Sequence, residues 1–216
     1  MAYNRKMPQI VDELTRRQLR VARPDSFEVK RTDTELRRLA EAGSLLQISK
    51  GFYALVPEDR RSKKTSWRPT IEGAALGMSA ALYGPESVAL VGPSAARIHR
   101  CYPRALGEAY VTAPKTLRSR DTVLGMVRFV TRDITKMDTV RIETDLGPGR
   151  ATSVEQTALD LCRSRPAWNI TEATRLEMIR RLADRIDWGL IDEVAETTRS
   201  VKTLRRLRAT LDHNEP

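Results

Sequence analysis

Between Lys30 and Val56 the chain reads KRTDTELRRLAEAGSLLQISKGFYALV, and its apolar positions change period halfway along. Leu36, Leu39 and Ala40 recur at helical spacing. This predicts an amphipathic helix over Thr32 to Ala42, capped by Thr32 or Asp33 and stopped by Gly43. Thr34, Arg37 and Arg38 fall on its other side, with Lys30 and Arg31 leading into the first turn, so cations and hydroxyls face solvent. From Ser44 the pattern becomes two short strands, Ser44 to Ile48 and Phe52 to Val56, joined by the turn Ser49-Lys50-Gly51. A basic helix followed by a hairpin with a cation near its tip suggests a winged helix-turn-helix. In that arrangement Lys30, Arg31, Thr32, Thr34, Arg37 and Arg38 approach the major groove and Lys50 meets phosphate.

Upstream, Ile10, Val11, Leu14 and Leu19 form a stripe that predicts a first helix from Pro8 to about Gln18. Arg5 and Lys6 before it form either a short basic arm able to reach phosphate or a frayed end. The stretch PDSFEVK, residues 24–30, fits a short helix or a strand, and a helix-turn-helix needs a supporting helix there. Residues 57–69, PEDRRSKKTSWRP, read as a polar linker between two prolines. Its cations Arg60, Arg61, Lys63 and Lys64 either touch DNA backbone or are simply solvated.

The composition changes at Thr70. IEGAALGMSAALYG, rich in Ala and Gly, predicts a helix packed on most sides. Strands are expected at Ser87 to Val91, Ala109 to Ala113, Met126 to Thr131 and Val140 to Thr144, with a turn at LGPG, residues 146–149. The helix VEQTALDLCRS follows, with Ser153 and Gln156 matching a capping box. Three apolar stripes close the chain: Leu176, Ile179, Leu182 and Ile186; then Trp188, Leu190, Ile191 and Val194; then Val201, Leu204, Leu207 and Leu211. The expected fold class is α+β. A winged helix-turn-helix domain spans residues 1–57, a basic linker 58–69, and a mixed α/β domain ending in helices 70–216.

Charge sharpens this picture. The net charge is +10, and residues 1–68 hold 16 Lys and Arg against 9 Asp and Glu, whereas residues 151–216 balance at 11 each. Excess cations concentrated on a helix-plus-hairpin unit suit a polyanion-binding surface. No apolar run approaches the ~20 residues that span a bilayer, and the N-terminus lacks the apolar core of a signal peptide, so a cytoplasmic protein is expected. Two cysteines, Cys101 and Cys162, and two histidines, His99 and His213, lack zinc-site spacing, so no metal is expected, and Cys162 reads as core. VALVGPSAARIH lacks both the P-loop and the dinucleotide-binding fingerprint, so no cofactor is expected. Ser94 and His99 have no placed acid partner, and Asp133, Asp138, Asp145 and Asp160 are scattered, so no catalytic residues are assigned and an enzyme is not expected.

The segments GSLLQISKGFYALVP, WRPTIEGAALGMSAALYG, VALVGPSAARIHRCYPRA and RIETDLGPGRATSVEQTALDLC, taken in this order, resemble the AbiEi-type antitoxins of bacterial type IV toxin–antitoxin systems. The resemblance implies a transcriptional autorepressor that binds inverted-repeat, double-stranded operator DNA. Its second domain would counter a nucleotidyltransferase-like toxin encoded next door. Carried onto this sequence, the reading helix falls on Thr32 to Ala42 and the wing turn on Ser49 to Gly51.

Overall fold

In the computed structural model, residues 6–27, 31–163 and 168–212 are described, and they form a mixed α+β protein with eight α-helices and small sheets among them. The N-terminal part runs α1 (Lys6–Arg16), β1 (Val21–Ala22), a 3₁₀ turn (Pro24–Ser26), α2 (Thr32–Glu41), β2 (Leu45–Ser49) and β3 (Phe52–Leu55). Its strands pair antiparallel in the order β1-β3-β2, with Val21 opposite Ala54 and Leu46 opposite Ala54 on the other side.

β3 is buried at every position, and the two-residue period of a strand explains how. Tyr53 and Leu55 join Ile10, Leu14, Phe27, Leu36 and Leu39 in a core beneath α1 and α2. Phe52 and Ala54 point the other way, into a second core with Val21, Ile48, Leu76 and Met78. The small sheet is therefore covered on both faces. The apolar run FYALV is how such a strand appears in sequence.

The second cover is α3 (Ile71–Tyr83), the expected Ala- and Gly-rich helix. Thr70 caps it, its Oγ1 accepting from Gly73 N at 3.2 Å while donating to Asp145 Oδ1 at 3.0 Å. Gly77 lets the helix close on the small sheet, since a Cβ there would lie 2.4 Å from Val21 Cγ2.

Behind α3 lies a larger mixed sheet. β4 (Glu108–Ala113) runs parallel to β6 (Gly125–Thr131), which pairs antiparallel with β5 (Arg120–Thr122). β7 (Thr139–Thr144) pairs antiparallel with β8 (Gly147–Thr152). Leu90 joins the halves by bridging to Val111 on β4 and Ala151 on β8. β5 is a strand that no expectation covers. Two expectations need correction here: the strand expected over Ser87 to Val91 is reduced to the Leu90 bridge, with Ser87 in a 3₁₀ turn (Pro85–Ser87), and the turn expected at residues 146–149 gives way to a strand from Gly147. Its glycines suit a turn by composition, but Gly149 is needed because a Cβ there would lie 2.3 Å from Leu76 Cδ2.

α4 (Pro93–Ile98) and α5 (Val154–Leu161) lead to α6 (Glu172–Ala183), α7 (Leu190–Thr197) and α8 (Val201–Asp212) around a third core that includes Cys162. Ser153 caps α5 by accepting from Gln156 N at 3.1 Å. The reciprocal half of the expected capping box is absent, because Ser153 N donates instead to Asp138 O at 3.1 Å. The second apolar stripe is buried only through Ile191 and Val194, while Trp188 and Leu190 are exposed. No helix among the described residues is long and apolar enough to cross a membrane.

One polar cluster pins β4 to β6. Arg128 on β6 forks onto Glu108 through Nε at 2.6 Å and Nη2 at 2.7 Å, and Tyr110 Oη and Asn169 Nδ2 also donate to that carboxylate. The Arg128 bonds chiefly hold the Glu108 carboxyl well below its ordinary value, at about 2.

Two outcomes follow from this packing. Gly77→Ala should lower stability by about 1–3 kcal/mol, because the overpacking against Val21 outweighs the ~0.5–1 kcal/mol that Ala gains over Gly in a helix; urea unfolding followed by circular dichroism measures it. Glu108 has a lower pKa folded than unfolded, so its contribution is complete above the ordinary carboxyl value of 4.5 and is lost as pH falls toward about 2. Glu108→Gln should therefore be less stable at neutral pH and show a shallower acid limb across that window. Parallel pH profiles for the two proteins would show that Arg128 does not hold the charge.

Candidate nucleic-acid interface

α2 sits on the small sheet through Leu36 and Leu39, both buried. Glu35 is buried beside them, and Thr34, Arg37, Arg38 and Glu41 are exposed on the outer side. The start of the helix differs from expectation. Its N-cap is Arg31, in the left-handed region at φ 64°, and the Arg31 side chain makes no capping bond. Thr32, expected both as cap and as DNA contact, is only 4% exposed and belongs to the packed side, so it is withdrawn from the outer row. Arg31 itself is exposed, while Lys30 lies outside the described residues.

Arg37 Nη2 lies 2.8 Å from Asp33 Oδ2 one turn back, with the two side chains 67% and 48% exposed. A pair this open to water is worth roughly 0.3–0.5 kcal/mol. It orients Arg37 without committing it, since a bidentate contact to guanine is worth about 1–3 kcal/mol. Arg38 has no ion pair among the described residues.

Lys50 is exposed at the hairpin tip. The outer edge of β2 is not free beside it. Val123 N donates to Ile48 O at 3.0 Å and Ser49 Oγ donates to Asp121 O at 2.8 Å, so the turn after β5 clasps the hairpin. This contact brings in a cation that reading the sequence missed. Arg120 Cζ lies 5.2 Å from the centroid of the Phe52 ring, and Arg23 Cζ lies 5.5 Å from the same centroid. Arg120 is exposed and follows Lys50 by seventy positions, so only the meeting of the two sheets could reveal it.

The basic segment after the hairpin is packed rather than suspended. Gly43, at φ 77°, ends α2, and a Cβ there would lie 1.7 Å from Ser62 O and 3.0 Å from Lys63 N. Backbone crosses this point so closely that only glycine fits. Exposed Lys63 and Lys64 are thereby held beside the C-terminal end of α2. Arg61 is turned back, its Nε donating to Val56 O at 3.1 Å, and Arg60 Nε pairs with Asp59 at 3.1 Å. Arg5 lies outside the described residues; Lys6 begins α1, but its side chain is not described.

A helix preceding α2 is reduced, among the described residues, to the single 3₁₀ turn Pro24–Ser26. Arg17 substitutes for part of its support. Its Nη2 donates to Ser26 O at 2.8 Å and its guanidinium carbon stands 4.5 Å from the centroid of the Phe27 ring, tying α1 to the approach to α2.

The side chains weighed for catalysis are occupied elsewhere. Ser94 Oγ accepts from Tyr110 N at 2.8 Å. His99 Nε2 lies 2.7 Å from Thr152 O, which requires that nitrogen to carry the proton, and burial holds the imidazole below its ordinary pKa. Asp145 braces Thr70, Asp133 accepts from Thr135 N, and buried Asp160 pairs with Arg132 at 2.7 Å. On the basic C-terminal helix, Arg206 donates to Cys162 O and Arg208 pairs with Asp192, so that face is partly spent within the protein.

No protein-family model matches this chain, and no curated protein matches it either.

The crossing at Gly43 has a direct outcome. Gly43→Ala should cost about 1–3 kcal/mol for the left-handed residue alone, and should lift residues 60–66 off the end of α2. Thermal unfolding would report the first effect and faster proteolysis within that segment the second; unchanged cleavage would mean that the segment is not held there.

Proposed function

We propose that this chain is a DNA-binding antitoxin that represses its own operon. In this reading the N-terminal part is a winged helix-turn-helix, α2 is the reading helix and the β2–β3 hairpin is the wing. The observation that carries it is the row Thr34, Arg37 and Arg38, exposed on a helix whose other side is locked into a core, followed in the chain by a braced hairpin with exposed Lys50 at its tip. Side chains that must meet base edges need such a rigid mount, because a flexible arginine loses its ordering entropy on every contact it makes.

Roles divide by chemistry. Arg37 and Arg38 are assigned to base edges, where the guanidinium fork matches guanine O6 and N7. Arg31, Lys50, Lys63, Lys64 and Arg120 are assigned to phosphate, which fixes register without reading sequence. The larger α/β unit is assigned the antitoxin role against a nucleotidyltransferase-like toxin. That assignment rests on the family resemblance alone.

The test is an electrophoretic mobility assay on the DNA immediately upstream of the coding sequence, with competitor DNA and a salt series. Arg37→Ala with Arg38→Ala should weaken specific binding by at least ~10-fold while leaving circular dichroism unchanged. Lys50→Ala should weaken all sequences alike and lower the salt slope by about one. A folded double variant that keeps its sequence preference would overturn the reading. Steep salt dependence without any preference would leave only non-specific polyanion binding, and the alternative would then be a protein- or RNA-binding adaptor without sequence-specific DNA recognition.

A further inference from the structure

At one end of the larger sheet, β5 is clasped to the small sheet, whereas at the other end β7 has no strand partner besides β8 among the described residues. Edges of this kind are usually blunted by charged side chains, proline or a bulge. β7, Thr-Val-Arg-Ile-Glu-Thr, has no proline or bulge, keeps an unbroken register with β8 over six residues, and carries one charge of each sign.

Its side chains are self-complementary. Ile142 pairs with Gly149, whose face packs on Leu76, so Val140, Ile142 and Thr144 share the α3 side. Arg141 and Glu143 stand on the opposite face. Neither has an ion pair among the described residues: opposite Arg141 is Arg150, held at 2.9 Å by Glu86, a carboxylate that Arg141 also influences through space, and opposite Glu143 is Pro148. Val140 is 38% exposed, an apolar side chain left at the rim.

We infer that β7 is a homodimer edge: a second copy of this chain adds antiparallel to it, with a two-fold axis through Ile142. In that register Arg141 of each copy stands opposite Glu143 of the other, and Val140 stands opposite Thr144. A two-residue slide in either direction sets Arg141 against Arg141 or Glu143 against Glu143. A one-residue slide is excluded because it mixes faces. The charge order therefore selects one register and one partner, an isologous copy. This interface stands independently of the DNA reading, although a two-fold axis is what an inverted repeat would require of a bound pair.

Sedimentation velocity over a concentration series, on the full chain without DNA, tests it. The natural protein should dimerise reversibly. Arg141→Glu and Glu143→Arg should each weaken self-association by at least ~10-fold, because each variant sets two like-charge pairs across the axis. An equal mixture of the two variants should dimerise again, as should the doubly swapped chain. That recovery excludes misfolding as the cause of the single losses. A natural chain that stays monomeric throughout, single variants that associate as tightly as it does, or no recovery in the mixture would overturn the assignment.

Discussion

Phe52 and Tyr53 are neighbours in sequence and end in different cores, and the architecture follows from that divergence. Because β3 is apolar on both faces, it needs a cover on each side. α1 and α2 supply one and α3 supplies the other. Each large apolar side chain buried in this way contributes roughly 1.5–3 kcal/mol. Three short strands draw their stability from packing, and between two helical layers this sheet becomes the joint on which the N-terminal part is mounted. The chain crosses residues 58–69 once, yet the core beneath Val21, Ile48 and Phe52 runs straight through from one part to the other.

This joint governs how the cations are displayed. α2 is anchored by Leu36 and Leu39, so the row on its outer side has a fixed direction. The hairpin is fixed by the turn after β5, and the basic stretch after it by its passage over Gly43. Several weak, water-exposed charges gain little from their neighbours, as the Arg37–Asp33 pair illustrates. What the fold adds is position. Each of these segments is held in place by its own contacts, and under the proposed reading preorganisation of that kind reduces the entropy lost on binding.

The larger sheet meets its two edges differently. One is closed against the small sheet through Ser49 and Val123. The other, β7, has no strand partner besides β8 among the described residues and carries opposite charges two residues apart. An open edge with a regular pleat either aggregates or finds a specific partner, and alternating charge is one device that turns the first outcome into the second.

Much of this was written in local pattern. The helical spacing of Leu36 and Leu39, the hairpin around Lys50, the Ala- and Gly-rich α3, the core placement of Cys162 and the Ser153 cap all follow from periodicity and turn chemistry that act within a few residues. Other features depended on partners distant in sequence, which no short window contains. Thr32 reads locally as a cap and a DNA contact, and packing buried it. Residues 146–149 have the composition of a turn, and pairing with β7 makes a strand from Gly147 onward. Arg120 became a neighbour of Phe52 only when two sheets met. Local sequence determined which elements form and which faces are apolar, because propensity and period are short-range. Tertiary structure alone decided which segments clasp the hairpin and which strand edge, among the described residues, has no partner, because those depend on where the buried faces find each other.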